Sequence, residues 1–147
     1  MTDLRALYQE VILDHNKKPR NFGQLDNANR EAHGHNPLCG DNFTMHVRVS
    51  GDTIEAVRFE GEGCAISTAS ASLLTERMTG APLAEFQPLF EGVHELVTGG
   101  FPDTDVDLGK LEIFVGVGNF PMRVKCATLP WHTCKAALAG QEEATTE

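Results

Sequence analysis

Four cysteines and one aspartate carry the most direct chemistry in this sequence. The cysteines are Cys39, Cys64, Cys126 and Cys134, and Asp41 follows the first of them with a single glycine between. Because that glycine leaves the backbone free to bend, the thiolate and the carboxylate can face the same cation. Taken alone, the triplet is more typical of a structural turn, so its meaning depends on the other cysteines.

Two of those cysteines stand where the thiolate form is favoured. Cys64 follows a Gly-Glu-Gly stretch and precedes an apolar helical pattern, which places it at a helix N-terminus, where the dipole and the unpaired amides lower the pKa of a thiol. Cys126 has Arg123 and Lys125 close by in the sequence, and neighbouring cations act in the same direction. A buried, inert cysteine is the alternative for Cys64.

Together, three of the cysteines and Asp41 indicate a tetrahedral zinc site. Cys39, Cys64, Cys126 and Asp41 offer four ligands, enough to close a tetrahedral zinc site, and the wide spacing of the cysteines excludes a short CxxC knuckle. Cys134 lies about two helical turns beyond Cys126, roughly 12 Å at 1.5 Å per residue. It is therefore predicted to pack in the core and not to bind the same metal.

The size and charge of the chain narrow the class of protein. The 147 residues are predicted to form one domain, residues 1–147, with a frayed polar tail over 141–147. A net charge of −9 excludes a general attraction to nucleic acid or anionic lipid. The chain has no apolar run long enough for a membrane span and no signal-peptide pattern, so a soluble, cytoplasmic protein without structural disulfides is expected.

The periodicity of apolar residues predicts the elements that position the site. A helix is expected over 3–14, followed by a loop up to the Cys39 triplet, an antiparallel hairpin over 43–60 and a helix over 66–78 that Gly80 ends. A helical period over 81–100 is interrupted by Pro88, which indicates two short helices or one kinked helix. These elements predict an α+β fold.

The last helix contains a proline that conflicts with its periodicity. Pro130 inside a continuous helix would lack its own donor and clash with the carbonyl of Cys126, at a cost of about 3 kcal/mol. The pattern therefore predicts a break between Cys126 and Thr128, with Thr128 capping a new helix. Cys126 would then lie at a helix junction.

The histidines offer a second, weaker set of candidate ligands. His33 and His35 precede the Cys39 triplet, and a His-x-His pair can bind a metal, although loop histidines are usually solvated. His15 closes the first helix, where a cation suits the helix dipole. The sequence has no nucleophile-elbow, phosphate-loop or dinucleotide fingerprint, so hydrolase and nucleotide-binding functions have no support.

Five motifs in order, spanning about residues 4–138, resemble the SufU branch of the IscU/NifU-type iron–sulfur assembly proteins. The motifs are Leu7-Tyr8 with Val11-Ile12 and Asp14-His15; Pro19-Arg20-Asn21; Asn36-Pro37 with Cys39-Gly40-Asp41; Gly63-Cys64-Ala65-Ile66-Ser67; and Phe120-Pro121 with Arg123 and Lys125-Cys126-Ala127-Thr128. Lys125 stands where IscU proteins place a histidine, and the stretch near 81–109 resembles an insertion of the SufU branch.

The resemblance implies an IscU/SufU-like fold, a small antiparallel sheet packed by helices, and a role in iron–sulfur cluster biogenesis. It implies a zinc protein that takes persulfide sulfur from a SufS-type cysteine desulfurase and serves a downstream iron–sulfur scaffold. Cys39, Asp41, Cys64 and Cys126 would bind the zinc, Cys39 would accept the sulfur, and Arg123 would stabilise the freed thiolate. One alternative is a scaffold that builds a [2Fe–2S] or [4Fe–4S] cluster on the same ligands. Another is a structural zinc module that only binds a partner.

Overall fold

Strands and helices occur in separate runs along the chain, three strands and then three helices, as is typical of an α+β fold. The computed structural model describes residues 4–36, 40–99 and 107–145. Its elements are α1 (Leu4–Lys17), β1 (Arg30–Asn36), β2 (Asp41–Ser50), β3 (Thr53–Glu62), α2 (Ala65–Met78), α3 (Phe86–Gly99), α4 (Pro121–Leu138) and β4 (Glu143–Thr145), with 3₁₀ turns at Leu83–Glu85 and Gly109–Asn119. The predicted fold class is confirmed.

The predicted hairpin forms one side of the four-stranded sheet, with β3 at the edge. Strands β2 and β3 pair antiparallel, and their inward side chains, such as Met45 and Phe59, are fully buried. The pairing register shifts between Arg48 and Val49, so a β-bulge lies where the strands deviate from strict pairing. Helix α4 packs across β1 and β2, and α2 packs against both α4 and β3.

The prediction of a loop up to the Cys39 triplet is wrong over Arg30–Asn36, which form strand β1. It pairs antiparallel with β2 from Arg30 to Asn36, and its inward residues include Ala32 and Gly34, which are too small to give the apolar alternation of an ordinary strand. Small residues are required there because α4 lies close: a Cβ at Gly34 would overlap the hydroxyl of Thr133. The missing hydrophobic signal is thus a result of close packing.

The end of the chain corrects the expectation of a frayed tail. Strand β4 pairs parallel with β1, which gives the sheet order β3-β2-β1-β4. The His33 amide donates to the carbonyl of Glu142 at 2.8 Å, at the start of this pairing. Strand pairing is made by backbone hydrogen bonds, which every residue type except proline can form. The polar composition of the tail therefore does not indicate whether it pairs.

Helix α1 is longer than predicted, and His15 does not act as a solvated cation at its end. His15 is buried, and its Nδ1 lies 2.6 Å from Ser72 Oγ in α2. Burial lowers the pKa of His15. The same hydroxyl accepts the Arg20 amide at 2.9 Å, so the Asp-His and Pro-Arg-Asn motifs dock α1 and the following residues onto α2.

The predicted helix over 66–78 is confirmed, and Thr79 and Gly80 end it with the glycine at a φ of +83°. In the next segment, a 3₁₀ turn leads directly into α3, and Pro88 falls in the first turn of that helix. A proline there breaks no helical hydrogen bond, because the first amides have no partner within the helix. Pro88 therefore gives no cause for a kink in α3, which is one helix over Phe86–Gly99.

Helix α4 corrects the expected break near Cys126. The helix is continuous with Pro130 inside it, and Cys126 lies in its interior. Thr128 does not cap a new helix, since its hydroxyl donates back to the Val124 carbonyl at 2.9 Å. Ser70 donates to the Ala127 carbonyl at 2.6 Å, and the surrounding turns are buried on all sides. Tertiary packing thus outweighs the local cost of the proline.

Cys134 is part of the core, as predicted. It has no solvent exposure, and burial raises its pKa to about 12. Within the described ranges, none of the helices is long and apolar enough to cross a membrane.

Replacing Gly34 tests the close approach of α4 to the sheet. We expect Gly34→Ala to lower the free energy of unfolding by about 1–3 kcal/mol, because the new methyl group overpacks the contact with Thr133. The measurement is urea unfolding followed by circular dichroism. Gly99→Ala is the matched control, since a Cβ there meets nothing within 4 Å.

Shortening the side chain of Thr133 should relieve the same overlap. In a Thr133→Ala background, Gly34→Ala should cost clearly less than in the native background, as expected for two residues in direct contact. Equal costs in the two backgrounds would contradict the assignment of the overlap to Thr133.

Candidate metal centre

Three segments that are distant in the sequence bring ligand atoms together at one end of the sheet. Asp41 opens β2, Cys64 precedes α2, and Cys126 comes from the interior of α4. One carboxylate oxygen and the two sulfur atoms lie within 4.8 Å of one another. A single ion can bind all three side chains after small adjustments of their positions.

The position of Cys64 is fixed by the tight connection from β3 into α2. A Cβ on Gly63 would overlap Ser67 Oγ and the ring of Phe43, so only glycine fits before the cysteine. Cys64 is the N-cap of α2, and its sulfur accepts the Ser67 amide at 3.4 Å. The Ser67 hydroxyl lies 3.5 Å from the same sulfur. The helix N-terminus therefore supplies donors to the thiolate form.

Asp41 is held by one oxygen and presents the other. The side chain is almost fully buried, with 2% exposure, and its Oδ1 accepts the Cys64 amide at 3.1 Å. Among the described residues, its Oδ2 has no hydrogen-bond partner. Burying an unpaired carboxylate oxygen is unfavourable, and a cation bound to it removes that cost. This orphaned oxygen fits a metal ligand.

The two cysteines and Arg123 form an electrostatic group. The pKa of Cys64 is lowered to about 5, first by its hydrogen bond with Cys126 and then by Ser67, and burial opposes this shift. The thiolate charge of Cys64, together with the interaction with Cys126, raises the pKa of Arg123. Because a charge–charge attraction acts on both partners, the guanidinium also favours thiolate at these sulfurs.

The structure brings some of the site residues that the sequence predicts together, and others lie elsewhere or outside the described residues. It brings Asp41, Cys64 and Cys126 together, and it places the exposed Arg123 one helical turn before Cys126. Cys39 lies outside the described residues. Cys134 is not part of the group of ligand atoms.

One residue at the site had no role assigned from the sequence. Ser67 stands three positions after Cys64 and donates from its backbone to the sulfur. The amide at this position of a helix is the usual donor to an N-cap side chain. The prediction of a helix N-terminus at Cys64 therefore contained the signal, although a cysteine is an unusual N-cap.

The donor set fits zinc. Two thiolates and a carboxylate are ligands of tetrahedral zinc sites, which take four ligands and so leave one position beyond these three. Cysteine thiolates also bind iron–sulfur clusters, so the donors by themselves admit both groups.

Comparison with known proteins assigns the family. The model of the NifU-like N terminal domain matches residues 7–139. The chain belongs to the NifU-like N-terminal domain family. This NifU-like chain is 39% identical over 140 residues to the zinc-dependent sulfurtransferase SufU of Bacillus subtilis, with 95% of each chain covered. It is 38% identical to the iron–sulfur cluster assembly scaffold protein IscU of Streptococcus pyogenes, covering 94% of this chain and 86% of the relative.

A solved structure gives the same fold. The putative iron–sulfur cluster assembly scaffold protein for the SUF system from Fervidobacterium islandicum superimposes on the NifU-like chain with a TM-score of 0.83 at 38% identity, covering 91% of this chain and 98% of that one. The names of these relatives place the chain in an iron–sulfur cluster assembly family. They differ on whether the activity is that of a sulfurtransferase or of a scaffold.

The low pKa of Cys64 can be measured on metal-free protein. We expect the rate of its alkylation by iodoacetamide to rise with pH with a midpoint near 5, because the thiolate is the nucleophile. Quantitative peptide mass spectrometry across a pH series reports the rate at each cysteine. Cys134 should stay unmodified in the folded protein, since burial raises its pKa to about 12.

A pair of variants tests the hydrogen bonds behind this shift. Ser67→Ala should move the midpoint for Cys64 upward because the hydroxyl contact is lost, whereas Thr68→Ala in the same turn should leave it unchanged. A midpoint between 8 and 9 in the native protein would contradict the described environment of Cys64.

Proposed function

We propose that this chain is a zinc-dependent sulfur acceptor in the cytoplasm. It takes persulfide sulfur from a SufS-type cysteine desulfurase and passes it to a downstream iron–sulfur scaffold. The observation that carries the proposal is the convergence of Asp41, Cys64 and Cys126 beside the guanidinium of Arg123. The similarity to a relative named as a zinc-dependent sulfurtransferase, over nearly the whole chain, supports it.

In this proposal Cys39 completes the set of zinc ligands. Only Gly40 separates it from Asp41, so covalent geometry keeps the two Cα atoms within about 7 Å of each other. Gly40 also donates its amide to the Asn36 carbonyl at 2.9 Å, which holds the two ends of the connecting segment together. Coordination to zinc would keep the thiolates deprotonated and tie β2, α2 and α4 to one another.

The transfer reaction uses one thiolate of this chain and the persulfide of the desulfurase. The Cys39 sulfur attacks the terminal sulfur of the persulfide and forms a new S–S bond. The S–S bond of the donor breaks, and the desulfurase cysteine leaves as a thiolate. The exchange changes neither the total oxidation state nor the number of protons, and Cys39 becomes an anionic persulfide.

Arg123 is the residue that stabilises these anions. Its guanidinium is exposed to the surface at the site and already interacts with the sulfurs of Cys64 and Cys126. An arginine offers several donors in a fixed plane, and hydrogen bonds to a charged acceptor are stronger than neutral ones. The charge of Arg123 favours both the freed Cys39 thiolate and the persulfide that forms from it.

A cluster scaffold is the second candidate function. It is favoured by the relatives named IscU, one of which is 38% identical, and by a donor set that also suits iron. Metal content separates the two functions, because a zinc protein is colourless and a protein with an iron–sulfur cluster is brown. The isolated protein should contain about one zinc per chain, whereas stoichiometric iron and sulfide would favour the scaffold.

The ligands should differ in how much zinc binding they support. We expect Asp41→Ala to weaken zinc binding less than Cys64→Ser, because water can replace one oxygen ligand whereas a thiolate has no equivalent substitute. Competition with a chromophoric chelator measures the affinity of each variant. Cys134→Ala is the control and should retain the native zinc content. Equal and complete loss of zinc in both ligand variants would contradict this order.

The roles of Cys39 and Arg123 can be separated from metal binding. Cys39→Ala should abolish stimulation of the desulfurase while much of the zinc remains, and Arg123→Ala should impair transfer at unchanged zinc content. Arg58→Ala removes an exposed arginine elsewhere, on β3, and should do neither. The measurements are desulfurase turnover and zinc content on the same preparations.

Mass spectrometry identifies the sulfur acceptor directly. After incubation with a SufS-type desulfurase and cysteine, the persulfide should map to the peptide that contains Cys39. A persulfide mainly on Cys64 or Cys126, with Cys39 unmodified, would contradict the proposed acceptor.

A further inference from the structure

Two histidines and a glutamate lie together on the face of the sheet opposite α4. His33 and His35 are two positions apart on β1, so their side chains project to the same face, and both are exposed. Glu143 on β4 is the direct register partner of His33. A Cβ at Gly34, between the two histidines, would instead meet Thr133 of α4 on the core side of the sheet. The three side chains also line one open cavity of about 420 Å³, together with Asn42 and Ala144.

We propose that His33, His35 and Glu143 form a second metal site, which binds a divalent first-row transition-metal ion such as Zn²⁺. Two imidazoles and one carboxylate are a recurrent donor set for such ions and leave the remaining coordination positions to water. The site is separate from the candidate centre of Asp41, Cys64 and Cys126, and it does not depend on the proposed function.

The backbone supplies the spacing that the site needs. Residues two apart on a strand are separated by about 6.6 Å, and neighbouring strands by about 4.8 Å, so the three Cα atoms form a small triangle on one face. Among the described residues, the only group of three ligand atoms within 4.8 Å of one another is that of Asp41, Cys64 and Cys126. The proposed second site therefore requires the exposed side chains of His35 and Glu143 to rotate toward His33.

One of the histidines is already oriented by a neighbour. His33 Nδ1 lies 3.1 Å from Thr44 Oγ1 on β2. In the tautomer in which Nδ1 donates to this hydroxyl, the lone pair of Nε2 is available for a metal. Histidine ligands of metals almost always make such a hydrogen bond with their other ring nitrogen, and it fixes both the tautomer and the ring.

Titration of the protein as isolated with ZnCl₂ tests the proposal, whatever metal the candidate centre retains. After loosely bound metal has been removed, calorimetry should show a further equivalent of zinc that binds more weakly than the metal retained by the protein. His33→Gln, His35→Gln and Glu143→Gln should each weaken this second equivalent by about 10-fold or more, since loss of even an outer-shell partner typically costs 10–100-fold. The retained metal should be unchanged in all three variants.

Matched controls lie outside the cavity. His94→Gln removes an exposed histidine from α3, and Glu142→Gln removes the carboxylate next to Glu143; both should leave the second equivalent intact. Nuclear magnetic resonance on the native protein should show zinc-dependent shifts at the ring signals of His33 and His35. Absence of a second equivalent, its persistence in all three ligand variants, or its equal loss in the controls would overturn the proposal.

Discussion

The close packing of α4 on β1 is the constraint on which the rest of the structure depends. Gly34 allows the helix to approach until its Thr133 hydroxyl occupies the space of a side chain on the strand. At this distance α4 contacts β1, β2 and β4 on one side and α2 on the other, and it carries Cys126 into a fully buried position. The absence of a Cβ at Gly34 thus allows the close approach to the sheet of the helix that carries the third cysteine.

The two cysteines of α4 show how the surroundings decide what a thiol can do. Cys126 and Cys134 are both buried on the same helix, about two turns apart. Cys134 belongs to the apolar core, and burial alone raises its pKa to about 12, so it stays a thiol. Cys126 instead faces Cys64, whose pKa is lowered to about 5, and the guanidinium of Arg123. Because Cys126 is buried, water is excluded from the sulfur atoms of this group, and the guanidinium of Arg123 compensates part of their negative charge.

The sequence predicted which residues the structure brings together better than it predicted the elements that carry them. Cys64 and Asp41 were recognised because a helix N-terminus and a glycine bend have local signals, and both residues lie at such positions. The continuity of α4 could not be predicted, because Pro130 is locally unfavourable and is tolerated only through packing on all sides of the helix. Strand β1 was missed for a related reason, since Gly34 gives no hydrophobic signal although a neighbouring helix requires it. Predictions from local sequence patterns were thus wrong where contacts with distant parts of the chain decide which residue a position tolerates.

The positions of the candidate ligands in the fold determine which of them could leave the metal during the proposed sulfur transfer. Asp41, Cys64 and Cys126 belong to, or directly precede, regular elements that share one core, so displacing any of them disturbs a strand or a helix. Cys39 stands in the sequence between the last residue of β1, Asn36, and the first residue of β2, Asp41. In the proposed reaction, exchange of this one ligand leaves three others in place, and the free energy of folding that the metal supplies is largely retained. In the proposed reaction the acceptor thiolate can therefore leave the metal without displacing a described strand or helix, while Arg123, the cation proposed to stabilise it, keeps its place in the first turn of α4.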